Sequence, residues 1–293
     1  MTTGNTAPNI KIDLYSDWIE ILRGLLHAGG FKTNPKDTQF EVAVKYLNLK
    51  LREIAPQPRK VHKAKGFSCD AKYQKAIDEI ERKAASGKSL VPHLSKFFLD
   101  LDYNDSLLND WGLHHLHLST KVGRAGFTER TGPLLFAHVL PDTFYMVAVL
   151  PHGSWTNRQL LEEMLKNWPH LLAPYELKGV VGLSQKFTEK EHAQLRKAHI
   201  QACVQLSDNK VYTSIGGGMA SNGTNIRVVM AHDRWAYYFR DMEKAVKANF
   251  NTWQSSLPPD RKYANPPTFK LMLDDKNIPV VLEVGSKCIY KFN

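Results

Sequence analysis

The run Asp110-Trp111-Gly112-Leu113-His114-His115-Leu116-His117-Leu118-Ser119 sets three of the chain's twelve histidines within four residues, where helix-like spacing gives way to alternation. Successive side chains of a strand point to opposite faces. Leu113, His115, His117 and Ser119 therefore share one face, and His114, Leu116 and Leu118 the other. Two imidazoles and a hydroxyl in one row are groups able to move protons, since imidazole titrates near neutral pH. Three imidazoles are also costly to bury in a strand without partners. The row is accordingly the first candidate for chemistry, and the competing account is a hydrogen-bonded structural network.

Outward from this strand, a loop carries Lys121, Arg124, Arg130 and the glycines Gly123 and Gly126. Two further strands are expected at Pro133–Leu140 and Thr143–Leu150, turned by Pro141-Asp142. His138 reads as a core histidine, whereas His152, just past the third strand beside Gly153 and Ser154, is better placed for function. Thr156 and Gln159 have capping-box spacing before Leu160, Leu161, Met164 and Leu165, a helix that Pro169 closes. Residues 110–174 thus predict a small antiparallel sheet with a packed helix.

Upstream, residues 1–109 read as a helical module behind a loose tail over residues 1–12. A first helix follows the capping-box pair Asp17 and Glu20 and ends at Gly29-Gly30. A second runs over Thr38–Ile54 with Phe40, Val44, Leu47, Leu51 and Ile54 as its apolar stripe, and others cover Asp70–Ala85 and Leu90–Leu99. Between them, Arg59-Lys60-Val61-His62-Lys63-Ala64-Lys65-Gly66 reads either as a solvated linker or as an arm that contacts phosphates. Asp100–Asp105 begins like a calcium loop but lacks its glycine and its closing glutamate, so these acids are expected to cap a turn at Ser106–Asn109. Downstream, residues 175–293 predict an α+β module. Thr188 and Glu191 cap one helix, and strands are expected at Ala202–Leu206, Val211–Ile215 and Asn225–Ala231. The glycine-rich run 216–224 reads as a flexible connection. A helix carrying Trp235, Phe239, Met242, Val246, Phe250 and Trp253 precedes closing strands at Thr268–Leu273, Pro279–Val284 and Lys287–Phe292. The fold class expected for the whole chain is α+β.

Of the 293 residues, 43% are hydrophobic and 23% charged, the balance of a globular protein. The longest apolar run, Phe144–Leu150, is a strand's length rather than a membrane span's, and the N-terminus lacks the basic and apolar regions of a signal peptide. Three widely spaced cysteines, Cys69, Cys203 and Cys288, form no CxxC, which predicts reduced thiols in the cytoplasm and argues against zinc fingers or a disulfide framework. A net charge of +10 favours an anionic partner, most often nucleic acid.

His115-Leu116-His117 resembles the His-hydrophobic-His signature of HUH-type single-strand endonucleases, and Tyr175-Glu176-Leu177-Lys178 resembles that family's tyrosine-x-x-lysine motif. That resemblance implies a divalent metal held by the two imidazoles and attack by the tyrosine. It departs from the family in that helices, rather than a strand, precede His115. The order strand, basic loop, hairpin, helix over residues 113–168 is similar to the later part of RelE-like endoribonuclease toxins, which implies metal-free activation of a ribose 2′-hydroxyl. The Trp-Gly-x-His-His-x-His-Leu segment also resembles bacterial proteins of mobile or defence loci.

The expected activity is therefore phosphodiester cleavage, of RNA in preference to DNA, in a toxin or anti-phage effector. The catalytic candidates are His115, His117, His152, Lys121 and Arg124; the nucleic-acid-binding candidates are Arg59, Lys60, Lys63, Lys65 and Arg130. No cofactor is expected, a divalent metal entering only on the HUH resemblance. The partners expected are nucleic acid and a protein inhibitor or partner, with no membrane. The alternative is a non-catalytic nucleic-acid-binding or protein-interaction module whose histidines are structural.

Overall fold

A computed structural model describes residues 9–292 and divides them into two units, one formed by 9–46 with 230–292 and one by 47–229. Both are mixed α+β. Of the tail expected over residues 1–12, residues 1–8 lie outside the described residues, and Lys11–Ile12 form a short strand, β1.

Helix α1 (Leu14–Ala28) begins earlier than its sequence signal. Asp13, not Asp17, is the cap, its Oδ1 accepting from Ser16 N at 2.9 Å. The Asp17 carboxylate accepts instead from Leu271 N and Lys270 Nζ. Helix α2 (Gln39–Arg52) buries Val42, Ala43 and Leu49; of the expected stripe Ile54, just past the helix, is buried, Val44, Leu47 and Leu51 are half-buried, and Phe40 is exposed. Asn48 and Arg52 are buried with them because Nδ2 of Asn48 donates to Tyr103 O, and the Arg52 guanidinium donates to the carbonyls of Phe97 and Asp100. These bonds offset part of the cost of burying the two polar side chains, with Asn48 Oδ1 and Arg52 Nε left over among the described residues.

The expected basic linker is strand β2 (Lys60–Lys63), which pairs in parallel with the strand at 143–151. Helix α3 (Ala71–Ser86) follows. It buries Ala76, Ile77, Ile80 and Ala84 and stops at Gly87, which adopts φ 72°. A single helix over Leu90–Leu99 is replaced by two 3₁₀ turns, Val91–His93 and Lys96–Leu99, because Ser95 starts a new cap. Asp105 caps α4 (Ser106–Trp111) by accepting from Leu107 N and Leu108 N, as its sequence position predicted. Strands β3 (Leu113–His117), β4 (Pro133–Val139) and β5 (Thr143–Pro151) form the expected antiparallel set. With β2 they make one sheet of order β2-β5-β4-β3. Helix α5 (Gln159–Asn167) starts without the Thr156 capping box, since Asn157 Oδ1 is what accepts from Gln159 N.

One face of this sheet packs Leu113, Leu134, Phe136 and Val147 against α5 and the short α6 (Pro169–Leu172). The opposite face packs Leu116, Leu135, Ala137, Phe144 and Met146 against α3. Helix α7 (Glu189–Lys197) carries the expected Thr188–Glu191 capping box, and β6 (Val204–Gln205) pairs with β7 (Val211–Tyr212). Both boundaries drawn from the sequence, 109/110 and 174/175, fall inside the 47–229 unit.

Residues Asn225–Ala231, read as a strand from their β-branched run, instead open α8 (Ile226–Ser255), with Asn225 Oδ1 accepting from Arg227 N. In the other unit, Trp235 and Phe239 of α8 pack on Trp18 of α1, with ring centroids 6.1 and 5.4 Å away. Strands β8 (Thr268–Leu273), β9 (Pro279–Glu283) and β10 (Ile289–Tyr290) complete that unit's sheet in the order β1-β8-β9-β10. Among the described residues no helix is long and apolar enough to cross a membrane.

Candidate functional site

Gly112, with φ 69°, ends α4 and turns the chain into β3, which is an edge strand of its sheet. A left-handed backbone at that point suits glycine, which lacks the Cβ that strains other residues there. The register sets His115 opposite Phe136 and His117 opposite Leu134, so both imidazoles lie on the face of Leu113 and Phe136, as strand parity predicted. Leu113 belongs to the core at one end of this row, and the imidazoles continue it toward the other.

Trp155 joins the row to His152. Its ring centroid lies 4.8 Å from His115, 5.8 Å from Phe136 and 5.1 Å from His152, the last in a perpendicular arrangement. His152 is exposed, and its backbone N–H donates to Gly132 O at 2.6 Å, which ties the end of β5 to the start of β4. His117 is 5% exposed. Burial pushes its imidazole down to about 4, helped by the neighbouring His115, Arg130 and His152, so the ring is neutral at pH 7. Among the described residues, Nδ1 of His117 and Nδ1 of His115 are both buried without a hydrogen-bond partner, and Asp105 Oδ2 stands off from His115 Nδ1 at 3.6 Å. Buried polar atoms are nearly always paired.

The row is braced from behind. His93 Nδ1 donates to the His117 carbonyl at 3.1 Å, which leaves Nε2 to accept from Lys83 Nζ, also at 3.1 Å. Lys83 is held in turn by Glu79 at 2.7 Å. Burial pushes the His93 pKa down, in keeping with a neutral ring used as a strut.

Three of the sequence candidates, His115, His117 and His152, are thus gathered, and Arg130 is exposed and near enough to bear on the His117 charge. Lys121 and Arg124 are exposed on the loop closed by the Val122–Thr128 bridge, and neither side chain makes a hydrogen bond or ion pair among the described residues. Arg59 does not stand on an open arm that a nucleic-acid backbone could run along. It is 8% exposed and donates to the carbonyls of Leu140, Ala55 and Gln57, so its charge holds the chain rather than facing solvent. Lys60, Lys63 and Lys65 are exposed, Lys63 paired with Glu81 at 2.6 Å. Tyr175 accepts from Arg227 at 2.5 Å and lines a cavity that neither His115 nor His117 lines. Among the described residues no three His, Cys, Asp or Glu side chains are placed to share a metal ion.

A scan of protein-family models found no match to this chain, and searches of curated proteins and of solved structures found none either.

Two features escaped the sequence. Trp155 follows His152 by three residues in a turn, a signal that was available. The second is a buried network on Asp110, whose Oδ2 receives His192 Nε2 at 2.8 Å and Arg196 Nη2 at 2.8 Å, while Oδ1 accepts from Ser214 Oγ at 2.9 Å. Burial pushes the Asp110 pKa up, but the bonds and charges of His192 and Arg196 outweigh it and hold the carboxyl below its usual range. Ser214 and His192 each bond the carboxylate and not one another, so this is no nucleophile–base pair. The glycine run 216–223 packs on the same helix end rather than forming a flexible connection: Gly216 N donates to Asp110 O and Gly218 N to Asn109 O.

Proposed function

We propose that the protein is a metal-independent endoribonuclease acting at the His115–His117–His152 row. The observation that carries this reading is the pair His115 and His117 on one strand face, with His115 and His152 packed on Trp155, Arg130 near His117, and a ring nitrogen of each strand histidine without a partner among the described residues. In the proposed reaction the neutral His117 ring takes the proton of a ribose 2′-hydroxyl, whose oxygen attacks the adjacent phosphorus. Arg130 offsets the charge of the pentacoordinate species. His152 gives a proton to the departing 5′-oxygen, leaving a 2′,3′-cyclic phosphate and a free 5′-hydroxyl. Trp155 offers a face on which a base can stack. DNA lacks the 2′-hydroxyl and is not cut on this path. The three free cysteines accord with a reducing, cytoplasmic setting, where the activity would act as a toxin or anti-phage effector.

The test is cleavage of labelled RNA and matched single-stranded DNA, in EDTA and with added manganese, by wild type and His117→Ala. Wild type is expected to cut RNA in EDTA and the variant to lose about a hundred- to ten-thousand-fold in rate with its melting temperature unchanged. Cleavage of DNA only with metal would replace this reading with the HUH-type one. Equal rates in both proteins, or no cleavage by either, would leave a binding module with structural histidines.

A further inference from the structure

A cavity of about 400 Å³ opens off the opposite end of the same sheet, where β3 begins and β4 ends, and it lies outside the row just described. Its volume is in the range of small-molecule sites. His114 lines it at 9% exposure and makes no hydrogen bond to protein among the described residues. His138 lines it too, and donation from Nδ1 to Gly112 O at 2.9 Å leaves Nε2 as the ring's remaining polar atom. Burial pushes both imidazoles down, His114 to about 4, so they act as neutral hydrogen-bonding groups.

Charge in the cavity comes from Arg59 and Arg227. Arg59 engages carbonyls through Nε and Nη1 only, which leaves the two N–H groups of Nη2 without an acceptor. Arg227 engages Tyr175 Oη and Ile215 O through Nη2 alone, leaving three more at Nε and Nη1. The only carboxylate among the lining residues, Glu53, is already held by Lys50 at 2.8 Å. Five unspent guanidinium N–H groups exceed what a carboxylate's two oxygens need and match the three oxygens of a phosphate monoester. The remaining wall, formed by Leu51, Ile54, Val139 and Leu140, is apolar and leaves space well beyond a bare phosphate.

We propose that this cavity binds a phosphomonoester of mononucleotide size, with the phosphate on Arg59 and Arg227 and the ring edge read by His114 and His138. This does not rest on the ribonuclease reading, because none of His115, His117 and His152 lines the cavity.

Calorimetric titration of the full chain with AMP, adenosine, inorganic phosphate and a 5′-phosphorylated oligonucleotide tests it. AMP is expected to bind at least about tenfold more tightly than adenosine, and Arg227→Met to weaken AMP by about tenfold or more. His117→Ala should leave AMP affinity unchanged whether or not it abolishes cleavage, so the two readings fail separately. Binding by the phosphorylated oligonucleotide alone would keep the phosphate chemistry and identify the ligand as a chain end. Should Arg227→Met fail to fold, the His114 and His138 ring resonances of wild type must shift saturably with a phosphate-bearing probe and not with adenosine. Equal affinity for AMP and adenosine, or no binding of any phosphate-bearing probe at millimolar concentration, overturns the proposal.

Discussion

Arg196 Nη2 lies 2.8 Å from Asp110 Oδ2, and the two side chains are 4% and 2% exposed. Trp111 stacks on the same guanidinium at 4.5 Å. Removing one partner of a buried pair strands the other charge, at a cost of about 3–5 kcal/mol. Arg196→Met is therefore expected to lower unfolding free energy by that order in urea denaturation. A loss below about 1 kcal/mol would show that the network is not what holds α7 to the end of α4.

Acid should act on two neutral imidazoles. His114 and His117 have folded-state pKa values of about 4, below the usual 6.5. Unfolding therefore takes up protons as pH falls between about 6.5 and 4, and stability drops across that window; above it neither ring distinguishes the two states. Each could cost up to about 3 kcal/mol at the acid end, less where the chain relaxes. His114→Gln is expected to flatten the stability–pH curve between pH 6.5 and 4. A variant curve parallel to wild type would mean that the ring is not kept neutral by burial.

The basic strand β2 separates two roles that the sequence ran together. Arg59→Met should destabilise by about 2–3 kcal/mol, since three part-buried hydrogen bonds from a buried guanidinium are lost. Replacing Lys60, Lys63 and Lys65 by alanine should leave stability nearly unchanged and reduce the salt slope of RNA affinity by about 2. No change in slope would assign these lysines to guarding an exposed sheet edge against pairing with another chain.

Gly216 is expected to tolerate no side chain. A Cβ there would stand 2.0 Å from Leu108 O and 2.5 Å from Asn109 O, both backbone atoms. Gly216→Ala should lower the melting temperature by several degrees or prevent folding. An unchanged melt would mean that the α4 end and the glycine run are free to separate.

The histidine strand and its hairpin were legible because their signals are local: alternation, a Pro-Asp turn and a change of period at Gly112. Strand β2 was not, because an edge strand carrying lysines has the composition of a linker, and its partner β5 lies some eighty residues on. The run from Ile226 to Ala231 reads as strand by its β-branched residues, yet it is helical because Asn225 caps it from a buried position fixed by Asn109 and Gly216. In the site, parity placed His115 and His117 correctly. The Asp110 network was invisible, since its partners stand 82, 86 and 104 residues away.

The unit made of 9–46 and 230–292 is interrupted by the whole of the other, and this bears on the order of synthesis. Residues 47–229 leave the ribosome as an uninterrupted segment and can begin to fold at once. Helix α1 cannot: its Trp18 waits for Trp235 and Phe239, translated more than two hundred residues later. During that delay its apolar face, with Ile19, Leu22 and Leu26, is open to chaperones or to other nascent chains. Nascent chains stalled before residue 230 should thus protect the histidine strand from protease while leaving α1 accessible.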